Sequence, residues 1–246
     1  MNSVDYLVLG HGLTAESLIN KINKSQPGKT VVSTSRSDAN KIIFNLTDQS
    51  TWENLPNSEV IFWTFPPEPT EDVKNFYEVI KSKCKKLIVV GSTSAFEVKN
   101  SGDEVTEKSP LDLTIERVKN EVFLKEQGAI IVFSAGIYGP GRNPLDWINK
   151  GYVGKNDKLV NMVHLEDLAL FLFNASVYGK EGEIYIASNN NPQSWREIIE
   201  SWENRNLVSN VPGKETKRVS KRINNSWTLS ELKIDLQFQN FADSVS

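Results

Sequence analysis

Six apolar runs of strand length, spaced by stretches of helical pattern, constrain this chain more than any other feature. They read "YLVLG", "TVVST", "VIFWTF", "KLIVVGS", "AIIVFSAG" and, further on, "EIYIAS". Such runs are apolar on both faces, which suits strands covered from both sides. Helical spacing fills the intervals at about 14–25, 70–83 and 113–127. Parallel neighbours need a crossover connection, and a helix between strands supplies it. The order therefore predicts an α/β fold, a doubly wound parallel sheet.

The stretch "YGPGRNP", Tyr138 to Pro144, breaks this rhythm with two prolines and two glycines. Beyond it come a helix near 165–178, a strand at 183–187, a helix near 194–204 and an irregular tail. The expected organisation is a core of residues 1–140, completed by 164–187, with 141–163 and 188–246 forming a small C-terminal lobe that binds substrate. The 246 residues suffice for one large core with such a lobe.

Charge narrows the partners. The net charge of −3 and the absence of a long basic block argue against nucleic acid or an anionic membrane surface. The run "KETKRVSKR", Lys214 to Arg222, is interrupted by polar residues and reads as a solvated face or pocket rim. Cys84 is the single cysteine, so no intrachain disulfide can form, and a reducing compartment fits. No apolar run approaches the roughly 20 residues of a membrane span, and no leader pattern precedes the first strand. The expectation is a soluble, cytoplasmic protein without a metal site.

"GHGLTA" places Gly10, Gly12 and Ala15 between the first strand and the first helix. A glycine at the first position permits the tight turn. One at the second lets a pyrophosphate approach the backbone, and a small third residue holds the helix against the sheet. The helix start at Leu13 and Thr14 then offers amide donors and a positive dipole end to phosphate. In this context the pattern signals a dinucleotide. His11 reads as a spacer whose ring faces solvent or phosphate. The second strand ends "VVSTSRS", with no acidic residue for a ribose 2′-hydroxyl. Ser33, Thr34 and Arg36 suit a 2′-phosphate instead, which favours NADP over NAD.

These pieces, with "VIFWTFPP", "VVGSTSAFE", "AGIYGPGRNPL", "MVHLEDLA" and "KRINNSWTLSEL", resemble the extended short-chain dehydrogenase/reductase superfamily. The likeness is to its nucleoside-diphosphate-sugar epimerase/dehydratase-like proteins, and it implies a Rossmann core. It also implies further cofactor contacts at Asn45, Leu46, Thr64, Phe65 and Pro66, with Ile137 and Tyr138 beside the nicotinamide. Ser92, with Thr93 adjacent, matches the family's catalytic Ser/Thr. Arg142 and Arg222 are candidate contacts for an anionic substrate such as a nucleotide sugar, and a homodimer is compatible with the family. Trp147, Trp195, Trp202 and Trp227 read as stacking platforms or packing residues.

One departure matters for chemistry. The superfamily carries a tyrosine and a lysine four residues apart on one helix face, where the ammonium lowers the phenol pKa. Anchoring on Glu121, the family's acidic residue, puts Leu113 at the tyrosine position and Arg117 at the lysine position. No tyrosine occurs between Tyr77 and Tyr138. Leu113 cannot carry a proton, and Arg117 retains only a positive charge. Two readings stay open: an enzyme with an altered proton relay, or a non-catalytic dinucleotide-binding module such as a redox sensor.

Overall fold

The computed structural model describes residues 3–216 and 219–245. Seven strands form the central sheet: β1 (Val4–Leu9), β2 (Val31–Ser35), β3 (Ile42–Ile43), β4 (Ser58–Trp63), β5 (Cys84–Ser92), β7 (Ile130–Ser134) and β11 (Ile184–Ala187). Their spatial order is β11-β7-β5-β4-β1-β2-β3, and every adjacent pair runs parallel. Register places Val8 beside Phe62, and Phe62 beside Ile88. The order reverses at β1, so the crevice beyond the carboxyl ends of β1, β2 and β4 is where a doubly wound sheet takes its ligand.

The crossovers are α1 (Leu13–Ser25), α2 (Thr70–Ile80), α3 (Glu116–Glu126) and α5 (Leu165–Tyr178). Helix α1 packs on α5, and α2 on α3. Leu7, Leu9, Leu18, Phe62, Phe76 and Phe133 are wholly buried between sheet and helices. Each such side chain contributes about 1.5–3 kcal/mol of hydrophobic stabilisation. No helix among the described residues is long and apolar enough to cross a membrane.

A second cluster forms beyond the "YGPGRNP" break. It joins α4 (Pro144–Asn149) and α6 (Trp195–Asn204) to the C-terminal tail, through Tyr138, Ile148, Met162, Trp195, Trp202 and Phe241. Ser194 and Glu197 close a reciprocal capping box at the start of α6. Trp202 donates to the Ala242 carbonyl at 2.7 Å. Trp195 and Trp202 are thus packing residues, Trp147 lies edge-on to Trp195, and Trp227 stacks on Tyr185.

Three pairs of short strands complete the lobe side. Strand β8 (Gly136–Tyr138) pairs with β10 (Met162–His164), β9 (Leu159–Val160) with β12 (Gln193–Ser194), and β6 (Asp103–Val105) with β13 (Lys221–Ile223). Ile223 and Leu232, just before and after α7 (Ser226–Glu231), pack into the main core.

The helix expected from residue 113 starts at Glu116. Asp112 explains the delay: its Oδ1 accepts from the Thr114 amide and hydroxyl, at 2.9 and 2.5 Å. That local turn competes with the first helical turn. Leu113 therefore lies outside the helix, 52% exposed.

Candidate functional site

The glycine turn is held from beneath. Gly10 has φ +98°, and a Cβ there would lie 2.9 Å from Thr64 Oγ1. Its amide donates to Thr34 Oγ1 at 2.9 Å, while the Thr64 hydroxyl donates to the Leu9 carbonyl at 2.8 Å. Ala15 is wholly buried, letting α1 sit close to the sheet. Gly12 is the N-cap of α1, with no side-chain cap bond. The helical ladder starts with the Glu16 amide on the Gly12 carbonyl. The amides of Leu13, Thr14 and Ala15 thus lead the helix without a partner inside it.

These groups open onto a cleft of about 790 Å³. It brings together Gly10, His11, Gly12, Thr34, Arg36, Asn45, Leu46, Thr64, Phe65 and Pro66 from the sequence reading. It also includes Ser35, a hydroxyl of the same strand end, and adds Ser37, Phe44, Thr47 and Glu68, which that reading missed. Ser33 lies outside the lining, and its hydroxyl meets His11 Nδ1 at 2.9 Å. His11 Nε2 stands 3.7 Å from a Glu16 oxygen, so the ring bridges the glycine turn to β2 and α1. Thr34 is wholly buried under Gly10. Ser35 Oγ accepts the Ser37 and Asp38 amides, shaping the turn that presents the exposed Arg36. The Asn45 side-chain oxygen accepts from Thr47, fixing the loop at the far wall.

At the end of β5 a second group of side chains assembles. Ser92 Oγ accepts from the Ser94 amide at 3.3 Å and hydroxyl at 3.1 Å, capping a short 3-10 turn over Thr93–Ala95. Arg117 Nη2 donates to Ser94 Oγ at 3.2 Å, and Nη1 to Glu121 Oε1 at 2.5 Å. The guanidinium therefore spans from the serine turn to a fully buried carboxylate. Burial pushes the Glu121 carboxyl up to about 7, against the opposing pull of Arg117. The same carboxylate lies so near β5 that a Cβ on Gly91 would come within 2.7 Å of it. Glu116 does not pair with Lys119; it accepts from the Thr70 amide and hydroxyl, tying α3 to α2.

Tyr138 and Ile137 do not line the cleft at the glycine turn. The Tyr138 ring packs between His164 and Phe241, at centroid distances of 5.1 and 4.7 Å. Burial raises its phenol to about 12, which removes it as a base near neutrality. It faces a separate cavity of about 320 Å³ shared with His164 and Ser244. Ile137 packs against the main core. His164 caps α5, accepting the Glu166 amide at 3.3 Å, and Asp167 holds the tail by accepting the Gln237 and Phe238 amides. Arg142 and Arg222 are both exposed, the latter opposite Glu104 in the β13–β6 pair. Lys217 and Arg218 of the basic run lie outside the described residues. Within that run Lys221 is half-buried against the Thr93 carbonyl, a placement no local pattern announces.

No protein-family signature matches this chain, and no curated protein is similar to it in sequence. Solved structures are similar in three dimensions. A functionally unknown conserved protein from Silicibacter pomeroyi superposes with a TM-score of 0.78 at 20% identity, covering 98% of this chain and 96% of that one. A putative NAD-dependent epimerase/dehydratase from Methylobacillus flagellatus gives 0.76 at 17%, with 98% and 95% covered. The yeast methylglyoxal/isovaleraldehyde reductase complexed with NADPH gives 0.74 at 13%, with 99% and 96% covered. The chain thus has the Rossmann-type fold of the epimerase/dehydratase and extended short-chain reductase structures.

Proposed function

We propose that this protein binds a nicotinamide dinucleotide, NADP in preference to NAD, across the cleft at the glycine turn. The observation that carries the reading is the conjunction of an uncapped α1 N-terminus with the side-chain-free approach at Gly12 and an exposed Arg36 on the same wall. The leading amides of α1 and its dipole suit a pyrophosphate. Arg36 offers charge-assisted donors to a 2′-phosphate, and no carboxylate occupies the end of β2 to repel it. Phe44, Leu46 and Phe65 supply apolar wall for a base. When bound, the nicotinamide supplies hydride transfer.

Residues at the carboxyl end of β5 then define the chemistry. Ser92 can present its hydroxyl to a substrate oxygen, positioned by Ser94 and, through it, by Arg117. We read the protein as an epimerase/dehydratase-like oxidoreductase acting on a carbonyl or hydroxyl compound, a nucleotide sugar being the family's type of substrate. A second reading, a non-catalytic dinucleotide module, draws on the exposed Leu113 and on Arg117 being committed to Glu121.

Titration of intrinsic fluorescence tests the cofactor reading. Arg36→Ala is expected to weaken NADP at least tenfold, the equivalent of one charge-assisted bond of about 1.5 kcal/mol, and NAD less than twofold. Equal losses for both dinucleotides would remove the 2′-phosphate role. A thermal-shift panel separates the two functional readings: stabilisation by sugar nucleotides favours the enzyme, by dinucleotides alone the module.

A further inference from the structure

We propose that Lys221 is an anion contact beside the Ser92 turn, so that the compound handled there carries a carboxylate or phosphate group. This rests on the reading of Ser92 as the reacting end of the site and deepens it by naming a substrate class. Lys221 opens β13, and the β13–β6 pairing brings it in from the far end of the chain. Its ammonium donates to the carbonyl of Thr93, the residue after Ser92, and stands 6.0 Å from the centre of the Phe96 ring. An ammonium has three donors, and one carbonyl uses one of them.

Among the described residues, the neighbouring charges do not compensate Lys221. On β6, Asp103 is turned to the amides of Lys99 and Asn100, and Glu104 stands opposite Arg222. Glu197 on α6 is taken up by Ser194 and feels Arg222. The charged side chain whose field Lys221 does feel is Lys158, beside β9, which repels it. Burial together with Lys158 brings the Lys221 ammonium down to about 8. A half-buried cation without a counter-charge costs stability, and an incoming anion removes that cost. Arg117 is less suited to this part, because its guanidinium is already bonded to Glu121 and Ser94. Arg142 and Arg222, both exposed, do not offer a desolvated charge. The position is the carboxyl edge of a parallel sheet, where this fold class holds its ligands.

The test uses the full chain saturated with NADP, which occupies the glycine turn, and compares glucuronate, glucose 1-phosphate and glucose as probes. Competitive trace acetylation across pH, read by mass spectrometry, gives the titration of each lysine in the native protein. Lys221 is expected to titrate near 8, and at least one anionic probe to move its midpoint upward by a unit or more while glucose leaves it in place. Glucuronate acting alone identifies a carboxylate, and glucose 1-phosphate acting alone a phosphate. Lys221→Met should weaken the active probe at least tenfold, and Lys221→Arg should restore most of that loss. The proposal falls if neither anion moves the Lys221 midpoint, or if Lys221→Met binds them as the wild type does. The wild-type labelling result decides alone if Lys221→Met does not fold. NADP affinity, measured in the same samples, reports on the dinucleotide reading separately: its loss with anion binding intact would overturn that reading and leave this one standing.

Discussion

Gly10 and Gly12 stand two residues apart and are glycine for different reasons. At Gly10 the backbone needs φ +98°, and a Cβ would strike Thr64 Oγ1 at 2.9 Å. Gly10→Ala should therefore lower stability by about 1–2 kcal/mol from the left-handed backbone alone, visible as a reduced Tm. At Gly12 φ is −97° and nothing lies within 4 Å of a Cβ. Gly12→Ala should leave stability within about 0.5 kcal/mol of wild type yet, on the proposed cofactor reading, weaken NADP more than tenfold, because the methyl group would stand in the path of the pyrophosphate. Wild-type NADP affinity in Gly12→Ala would exclude the glycine turn as the phosphate cradle. The turn at Gly10 was legible in the sequence because a backbone requirement is local. Lys221 was not, since its meaning comes from β13 pairing with a strand over a hundred residues away. Ser33 and Thr34 were legible as polar residues at a strand end, but not as the partners that hold His11 and Gly10.

The longer elements followed their patterns closely, because strands apolar on both faces and a fourteen-residue apolar helix such as α5 admit few alternatives. The two-residue strands β3, β9 and β12 left no pattern to read, being too short for periodicity. Helix α3 misled at its start, where Asp112 formed its own turn, and its inner face carries a titration that composition could not show. Glu121 moves from an ordinary 4.5 to about 7 in the folded protein. The folded state thus holds this proton more tightly than the unfolded chain does. The corresponding stability is fully present below pH 4.5 and is lost as pH rises through 7. The loss amounts to about 3 kcal/mol for a shift of this size. Glu121→Gln keeps an acceptor for Arg117 but cannot ionise, so the difference between wild-type and variant stability should shrink or reverse as pH falls from 7.5 to 4.5. Parallel stability profiles, from chemical denaturation at each pH, would show that Glu121 is ionised throughout this window.

The molecule as a whole divides its labour between two packed clusters. The sheet and its helices build the glycine-turn cleft wholly from residues between Gly10 and Glu68. The second cluster depends on the tail, where Phe241 meets Tyr138, Trp195 and Trp202 and Asp167 anchors the preceding amides. Phe241 is 1% exposed, and truncating so buried a ring costs about 3–5 kcal/mol through lost transfer energy and the cavity left behind. For a chain of this length that is a fall in Tm on the order of 10 °C. Because no residue of the second cluster lines the cleft, Phe241→Ala should bind NADP within twofold of wild type at temperatures where it remains folded. Sugar-nucleotide or other substrate-class ligands should lose affinity in the same variant, since the lobe that would receive them has loosened. Calorimetric titration of both ligand types on Phe241→Ala separates the possibilities. A matched loss of NADP affinity would mean that the clusters are coupled and that the cleft is not the self-sufficient unit its lining describes.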